Sequence, residues 1–518
     1  MENILFLLIT ISFFINFYMY FIFNVHIYQL NHYGTKSQIN WIFKNKKRLL
    51  LRSISIVNII LFFLGDIGKI ASIIIFLIAA YLNIQKETKI PIVYTTRVKR
   101  YIITSFIIIA LIITILKLYF INNIVTLISF PIIILLTPFI LIVADYINLP
   151  INKLIKNYYI NDAKKILKNM PNLIVIGVTG SYGKTSTKNF LYKLLSAKYN
   201  VLITPENYNT TLGVVKTIRN NLKATHEIFV CEMGAYRVGE IKEICDIVRP
   251  KYGIITSIGP QHLESFGSIE NIIKTKFELA DSVPEDGIVF LNYDNEYMER
   301  NKINKKVVPY GIENETSNQY NAYDVTSTNR GLTFKMKDEN NNEKIFRTSL
   351  LGKHNVENIV GSIAVANKLG IPMDTLISKV KLLESVPHRL QLINTPNCII
   401  IDDAYNSNPS GSKSAIDTLG TFNGIKILVT PGMIELGEKQ YECNYEFGAY
   451  AANVCDYIVL IGKEQTKPIY DGIISKDYNK DKIIIADTLQ EGLNVVYQIK
   501  TDGKEKIILL ENDLPDNY

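Results

Sequence analysis

The sequence contains few cysteines, and none of them is arranged as in a metal site. The five in 518 residues are Cys231, Cys245, Cys398, Cys443 and Cys455. Their number is odd and no CxxC pair or Cys/His ligand spacing is present, which argues against a structural zinc site and a disulfide framework. All five follow the most hydrophobic part of the chain. We therefore expect reduced thiols in a cytosolic compartment.

The first 150 residues are dominated by Ile, Leu and Phe. A helix that spans a membrane needs about 20 apolar residues. We predict a membrane region of about five helices over residues 1–150. The first run lacks a basic start and a small-residue cleavage site, which argues against a cleaved signal peptide. The apolar runs lie at residues 4–23, 53–64, 70–82, 102–118 and 124–144.

The second and third runs are short, and Asp66 and Lys69 lie between them. The two runs therefore form either a tight hairpin or a single interrupted re-entrant element. We interpret Asp66 and Lys69 as a solvated turn rather than as an intramembrane functional pair.

Two basic segments predict the orientation in the cell membrane, because short cytoplasmic loops are enriched in Lys and Arg. With five spans, the N-terminus and the turns near Asp66 and Asn122 would lie outside, and everything after Lys153 would be cytoplasmic. The same loops account for much of the net charge of +8, so we expect no nucleic-acid partner. The segments hold Lys36, Lys44, Lys46, Lys47, Arg48 and Arg52, and Lys86, Lys89, Arg97, Lys99 and Arg100.

A glycine loop between an apolar run and a helical pattern indicates a nucleotide site. Residues 172–178 are apolar and β-branched, and apolar residues recur at helical spacing from Phe190 to Leu195. Backbone N–H groups of such a loop and the start of the helix bind phosphates. Lys184 can reach the terminal phosphates, and the Thr185 hydroxyl can bind Mg²⁺. The predicted ATP contacts are Gly180, Ser181, Gly183, Lys184, Thr185 and Ser186.

The loop lacks one glycine of the general GxxxxGK[ST] pattern, because Val178 occupies that position. The form TGxxGKT[ST] instead resembles the glycine loop of the Mur ligases. Further segments resemble that family in the same order, especially its D-alanyl-D-alanine-adding branch, so the resemblance covers about residues 173–440. The matching blocks lie at residues 204–213, 231–241, 255–268, 274–278, 352–358, 388–391, 402–409 and 431–437.

This resemblance implies a fold and an activity. We expect a transmembrane region at residues 1–150, a linker at 151–172, a central α/β P-loop domain with a mostly parallel sheet at 173–386 and a Rossmann-like α/β domain at 387–518. The activity implied is ATP- and Mg²⁺-dependent amide-bond formation in cell-envelope synthesis, in which a carboxylate is activated as an acyl phosphate. The partners implied are a carboxylate-bearing cell-wall precursor, nucleotide-linked or lipid-linked, and an amino acid or dipeptide.

Five residues are candidates for the metal site or for catalysis: Thr185, Lys184, Glu232, His262 and Lys276. Glu232 follows the apolar run 228–231 and so lies at a strand's carboxyl end, where α/β sheets bind their ligands. By resemblance, His262 would join Glu232 and Thr185 around Mg²⁺. A lone histidine is more often structural, and Lys276 alone would be a surface lysine over an apolar face. In many Mur ligases the matching lysine is carbamylated and supports a second Mg²⁺; Lys274 is the alternative here. Lys184, Lys276 and His262 are the predicted catalytic residues.

Other site residues are implied by the resemblance alone. Asn355 and Asn358 would lie near adenine, although helix capping is an alternative. Arg389 would approach the nucleotide from the C-terminal domain. Adjacent aspartates cannot point the same way on an extended chain, so of Asp402 and Asp403 we favour Asp403 as a ribose contact. The predicted substrate contacts are Asn207 and Asn209, although a turn at residues 205–207 is an alternative.

Two features depart from the family pattern. Membrane segments replace the usual UDP-binding domain, which makes a lipid-linked carboxylate substrate an alternative to a UDP-linked one. The ending at residues 508–518 differs from the Lys-Gly-Ser type turn of that branch. One alternative function is a polyglutamate-type ligase, against which the block at 402–409 argues mildly. Another is the P-loop ATPase of a membrane transporter or sensor, but no LSGGQ-like signature is present.

Overall fold

The computed structural model describes residues 2–31, 33–84, 91–119, 123–206, 208–312, 317–338, 340–405, 407–500 and 503–513. The chain divides into two compact units, which meet in sequence between Tyr158 and Tyr159. The first unit is helical, and the second contains both β-sheets.

The first unit is built from seven α-helices within the described residues. Four of these helices are long and apolar enough to cross a membrane: α1, α5, α6 and α7. An α-helix pairs its backbone polar groups within itself, as a membrane span requires. The helices are α1 Glu2–Leu30, α2 Thr35–Lys44, α3 Lys46–Arg52, α4 Asn58–Leu61, α5 Gly65–Asn83, α6 Thr96–Tyr119 and α7 Asn123–Lys168.

The prediction of five spanning helices was too high by one within the described residues. The run 53–64 is 12 residues long and would reach about 18 Å as a helix, well short of a bilayer core of about 30 Å. It forms a 3₁₀ turn, Ile54–Val57, and then the single-turn α4. Asn58 donates to the Ser72 carbonyl at 3.3 Å and Asn83 donates to the Arg52 carbonyl at 3.0 Å, so this run packs against α5.

A buried carboxylate connects three helices of this unit. Asp145 on α7 accepts a hydrogen bond from the Tyr28 hydroxyl of α1 at 2.8 Å. On α6, Arg97 lies 3.3 Å from the same carboxylate, and the Tyr101 hydroxyl also donates to it. Since a buried carboxylate is stable only with such partners, this cluster fixes the packing of α1, α6 and α7.

The predicted linker at 151–172 is mostly helix, because α7 continues to Lys168 through Pro131, Pro138 and Pro150. Its last part belongs to the second unit. Ala163 is fully buried in that unit's core, and Asp162 pairs with Arg219 at 2.6 Å. The segment therefore has partners of its own, which a linker would lack.

The middle domain has a nine-stranded sheet in the order β2-β3-β1-β4-β5-β6-β7-β8-β9. The first seven strands of this order, from β2 to β7, pair in parallel. Strands β8 and β9 then extend the sheet with antiparallel pairing. The strands are β1 Ile174–Thr179, β2 Val201–Ile203, β3 Ile228–Glu232, β4 Tyr252–Ile255, β5 Ile288–Asn292, β6 Val307–Gly311, β7 Tyr320–Thr328, β8 Gly331–Lys337 and β9 Glu343–Thr348.

Helices cover both faces of this sheet with separate apolar cores. The prediction of a P-loop α/β domain with a mostly parallel sheet is confirmed. The helices are α8 Lys184–Leu195, α9 Thr211–Asn221, α10 Glu240–Val248, α11 Leu263–Phe266, α12 Ile269–Ser282, α13 Glu296–Arg300, α14 His354–Lys368 and α15 Met373–Val380.

The C-terminal domain has a six-stranded sheet in the order β10-β11-β15-β12-β13-β14, parallel except for β10. This confirms the predicted Rossmann-like α/β domain. The strands are β10 Gln391–Asn394, β11 Cys398–Asp403, β12 Ile425–Thr430, β13 Tyr457–Ile461, β14 Ile483–Ala486 and β15 Lys506–Glu511. The helices are α16 Pro409–Gly420, α17 Gln440–Ala451, α18 Lys467–Ile474 and α19 Leu489–Gln498.

Candidate nucleotide-binding site

The glycine loop joins β1 to α8, as the sequence predicts. Gly180 and Gly183 have φ of 151° and 77°, a region that strongly favours glycine. A Cβ atom on Gly180 would lie 2.2 Å from Thr256 Oγ1, and one on Gly183 would lie 2.3 Å from Asn358 Oδ1. The loop thus needs glycine both for its backbone conformation and for the close approach of its neighbours.

The loop is fixed to the segment that follows β4. Ser181 N donates to the Ser257 carbonyl at 2.6 Å, and the Ser181 hydroxyl donates to the Gly259 carbonyl at 3.0 Å. Lys184 Nζ donates to the carbonyls of Gly180 and Ser181 at 2.7 and 2.8 Å. Lys184 therefore lies across the loop, where a terminal phosphate would be bound.

The charge of Lys184 is sensitive to its surroundings. Burial lowers its pKa to about 8, although the negative charge of Glu232 opposes the shift and Arg389 reinforces it. Ser186, in the first turn of α8, is buried.

Glu232 ends β3 inside a set of polar side chains. Its Oε1 accepts hydrogen bonds from Thr185 Oγ1 at 3.2 Å and from Asn209 Nδ2 at 3.0 Å. Its Oε2 lies 3.0 Å from Lys188 Nζ. Burial would raise the pKa of Glu232, but Lys188, Asn209 and Lys184 together lower it, so the carboxylate stays ionised.

The oxygen atoms of Thr185, Glu232 and Asn209 are suited to Mg²⁺. This ion takes hard oxygen ligands, commonly one or two carboxylates with waters and substrate phosphates. The carboxylate and the Thr185 hydroxyl adjoin the phosphate loop and fit that pattern. The Asn209 contact also places this predicted substrate residue beside the metal candidates.

His262 has different neighbours from those predicted. It has φ 54°, and its Nδ1 hydrogen-bonds to Glu435 of the C-terminal domain. Its ring centroid lies 4.7 Å from that of Tyr236. Among the residues that the structure describes, no three His, Cys, Asp or Glu side chains are grouped to hold a metal ion. Thr185 and Glu232 are thus in contact, while His262 contacts Glu435 and Tyr236.

Lys276 lies on α12 and is buried, with 3% of its surface exposed. Burial lowers its pKa to about 7, and the nearby charge of Lys184 lowers it further, whereas Glu278 and Glu240 oppose the shift. No carboxylate within the described residues is in ion-pair distance of its Nζ. The surface-lysine interpretation is therefore wrong for Lys276, whereas Lys274 is exposed.

The two asparagines at the start of α14 have different contacts. Asn358 Oδ1 accepts a hydrogen bond from Thr187 Oγ1 at 3.3 Å and adjoins Gly183, so Asn358 contacts the glycine loop region. Asn355 Nδ2 donates to the Leu351 carbonyl at 2.8 Å. Neither caps the helix, because the N-cap residue is Lys353.

The C-terminal domain brings Arg389 towards this site, stacked 4.4 Å above the Tyr405 ring. Asp402 pairs with His388 Nδ1 at 2.8 Å, whereas Asp403 Oδ1 accepts from Leu390 N at 3.1 Å. The two aspartates point in different directions, as predicted. Burial and the negative charge of Glu511 raise the pKa of Asp403 to about 7, and Arg389 opposes the shift.

Asn207 lies outside the described residues. Sequence reasoning missed Lys188 and Glu435. Lys188 stands in the second turn of α8, where helical spacing could have placed it below the loop. Glu435 belongs to a block that was recognised but given no role.

Two family models match the chain: the Mur ligase middle domain over residues 178–366 and the Mur ligase glutamate ligase domain over residues 388–510. Two similar relatives are UDP-N-acetylmuramoyl-tripeptide--D-alanyl-D-alanine ligases. The one from Bacillus subtilis is 34% identical over 60% of this chain and 66% of its own length, and the one from Buchnera aphidicola subsp. Acyrthosiphon pisum is 33% identical over 60% and 67%.

The chain thus spans just under two thirds of the B. subtilis relative. A solved structure, MurF ligase from Thermotoga maritima in complex with ADP, is 28% identical, with a TM-score of 0.61 over 69% of this chain and 80% of that one.

Proposed function

The chain belongs to the Mur ligase family, and from that premise we propose that it is an ATP- and Mg²⁺-dependent ligase that adds D-alanyl-D-alanine to UDP-N-acetylmuramoyl tripeptide. The observation that carries this proposal is the arrangement around the glycine loop. Lys184 lies across the loop, and the Glu232 and Thr185 oxygens lie 3.2 Å apart beside it. The names of the relatives support the choice of substrates.

The proposed reaction has two steps. The carboxylate of the first substrate takes the terminal phosphate of ATP and becomes an acyl phosphate. The neutral amine then forms the C–N bond, the C–O bond to phosphate breaks, and phosphate leaves with that electron pair and takes up the proton that the nitrogen loses. Lys184 and Arg389 stabilise the negative charge of the phosphates during both steps. Mg²⁺, held at Thr185 and Glu232, would neutralise further phosphate charge. The contact between the two domains would exclude water from the acyl phosphate.

We also propose that Lys276 is carbamylated. The reaction with CO₂ needs a neutral amine, and a pKa of about 7 leaves a large neutral fraction at physiological pH. The carbamate would replace the buried, positively charged form of Lys276 with a negatively charged group. A carbamate carbon signal in protein equilibrated with ¹³C-bicarbonate, absent from Lys276→Ala, would support this. Full activity of Lys276→Ala with and without bicarbonate would contradict it.

The membrane unit anchors the enzyme in this proposal, with the catalytic domains in the cytoplasm. Four helices long and apolar enough to span a membrane support the anchoring role. A lipid-linked carboxylate substrate is the alternative, because neither family model matches the residues before 178.

The test is ADP and phosphate release by the detergent-purified protein with Mg²⁺ and ATP. One mixture contains UDP-N-acetylmuramoyl tripeptide and D-alanyl-D-alanine, and another contains lipid-linked precursors with a panel of amino acids. Products are identified by mass. Product in the first mixture, lost in Lys184→Ala and retained in Lys193→Ala, supports the proposal. Product only in the second mixture would show that the carboxylate substrate is lipid-linked, and sustained ATP hydrolysis in the absence of both substrates would indicate a transporter or sensor.

A further inference from the structure

A loop of the C-terminal domain contacts the middle domain at His262. The loop, residues 431–437, follows β12 at the carboxyl edge of the sheet, where α/β domains bind their ligands. Its Glu435 carboxylate hydrogen-bonds to His262 Nδ1. The side chains of Glu435 and His262 are 36% and 21% exposed, so the contact remains accessible to a small substrate. Glu435 therefore reaches this place only when the two domains are together.

This contact adjoins the phosphate loop. Gln261, the residue before His262, has its Oε1 3.5 Å from Lys184 Nζ. On the other side of His262 lies Tyr236, whose pKa is raised by burial and by the negative charge of Glu435. Glu435 thus contacts His262, and the neighbouring Gln261 contacts the phosphate-binding Lys184.

Beside this contact, the Glu240 carboxylate accepts hydrogen bonds from the backbone N–H groups of Tyr236 and Arg237. Lys184, Lys276 and Arg389 suit phosphates, and the Glu232 carboxylate is paired with Lys188. An amino acid or dipeptide, however, arrives with a positive ammonium group, and a carboxylate is the group that binds it best.

Two other acidic side chains at the carboxyl edge of the C-terminal sheet are bound within their own domain. Glu511 accepts hydrogen bonds from the hydroxyls of Ser407, Ser412 and Thr430. Asp403 accepts from Leu390 N. Glu435 is the carboxylate of that edge that meets the middle domain at His262.

The backbone that presents Glu435 is held in an unusual conformation. Its φ is 63°, a region that is unfavourable for a non-glycine residue and that persists where the surroundings impose it. Asn444 supplies the constraint, because its Oδ1 accepts from Met433 N at 2.8 Å and its Nδ2 donates to the Met433 carbonyl at 3.0 Å. The loop therefore presents the carboxylate in a defined place.

We propose that Glu435 binds the ammonium group of the incoming amine substrate and positions its nitrogen, which attacks the acyl phosphate after one proton has passed from the ammonium to water. This assignment rests on the proposed function and names the residue that recognises the amine. Because Glu435 belongs to the C-terminal domain and His262 to the middle domain, binding of the amine also holds the two domains together over the reacting groups.

The test uses the full-length protein with Glu435→Gln, which removes the charge but keeps a side chain able to hydrogen-bond to His262. The KM for D-alanyl-D-alanine should rise about tenfold or more, as expected for the loss of a hydrogen bond to a charged group. ADP formed in a single turnover without amine, which reports acyl phosphate formation, should stay within about twofold of wild type. Glu438→Gln, an exposed acidic residue next to the same loop, is the matched control and should behave as wild type.

Hydroxylamine provides a second readout, because it is a neutral nucleophile at neutral pH. Wild type and Glu435→Gln should convert the acyl phosphate to hydroxamate at equal rates. An unchanged KM for the amine in Glu435→Gln would overturn the inference, as would an equal loss of rate with hydroxylamine. A Mg²⁺ requirement that rises while the amine KM stays constant would also overturn it. If the wild type forms no ADP in the single turnover, it is the proposed function that fails.

Discussion

Lys188 Nζ lies 3.0 Å from Glu232 Oε2, and each of the two side chains is only 1% exposed. A buried ion pair of this kind gains little over an apolar pair, but the removal of one partner leaves an uncompensated charge. Lys188 also donates to the Glu206 carbonyl at 2.7 Å, which fixes its position. The pair keeps Glu232 ionised at the edge of the sheet where the metal would bind.

Lys188→Met should lower the free energy of unfolding by about 3 kcal/mol in EDTA, because Glu232 loses its counter-charge. Mg²⁺ should restore part of this loss, since a divalent cation beside Glu232 replaces the missing charge. Thermal unfolding in detergent, with EDTA and with Mg²⁺ and ATP, measures both effects. Lys193→Met, on the same helix, is the control. Equal Mg²⁺ stabilisation of variant and wild type would place the metal away from Glu232.

Lys276 should make stability depend on pH in a defined direction. Its pKa is lowered from 10.5 to about 7 in the folded protein, so between these values the unfolded state binds more protons. The contribution of Lys276 to stability therefore rises with pH through this window. Lys276→Met should be more stable than wild type near pH 7, and the difference should shrink towards pH 10.

The measurement is the urea midpoint of both proteins at several pH values without bicarbonate. Lys274→Met, at an exposed position of the same helix, should differ from wild type by a constant amount. A pH-independent difference for Lys276→Met would mean that Lys276 is solvated or paired in the folded protein.

Gly183→Ala should weaken ATP binding more than its backbone strain alone predicts. The added Cβ would meet Asn358 Oδ1 at 2.3 Å, and φ is already 77°. Gly503→Ala is the matched control, because its φ is 84° and nothing lies within 4 Å of the new Cβ. We expect a rise of about tenfold or more in the KM for ATP for Gly183→Ala, with no change for Gly503→Ala. An equal ATP affinity in all three proteins would show that Asn358 moves aside without cost.

The local parts of the site could be predicted from sequence, because strand, glycine loop and helix are adjacent in the chain. Glu232 at a strand end and the opposite directions of Asp402 and Asp403 follow from strand geometry alone. The pairing of Lys188 with Glu232 depends on how α8 lies over β3, and periodicity does not specify that relation. The contact between His262 and Glu435 joins residues 173 positions apart in different domains.

The limits of the membrane region were harder to predict than its existence. Hydropathy identified every apolar run but could not show that residues 53–64 form a broken helix rather than a span. Residues 151–168, within the segment predicted as a linker, are polar enough to look like a connection. Ile160, Ile166 and Leu167 instead pack against the second unit's core, which hydropathy averages do not reveal.

The partners of the end of α7 predict where the catalytic unit can be separated from the membrane unit. A fragment that begins at Tyr159 keeps the Asp162 pair with Arg219, the stacking of Arg219 on the Tyr159 ring at 4.4 Å and the buried Ala163. A fragment that begins at Leu173 loses all three. We expect the first to be soluble and the second to unfold at a lower temperature, chiefly because burial of Ala163 and its apolar neighbours is lost.

The activity of the longer fragment then tests the role of the membrane helices. Every candidate site residue lies after Tyr159, so the fragment should join UDP-N-acetylmuramoyl tripeptide to D-alanyl-D-alanine at a rate within about threefold of the intact protein in detergent. If the folded fragment forms no ADP with the carboxylate substrate while the intact protein does, simple anchoring is contradicted. In that case the helices must supply part of the binding site for the carboxylate substrate, which the two family domains do not provide.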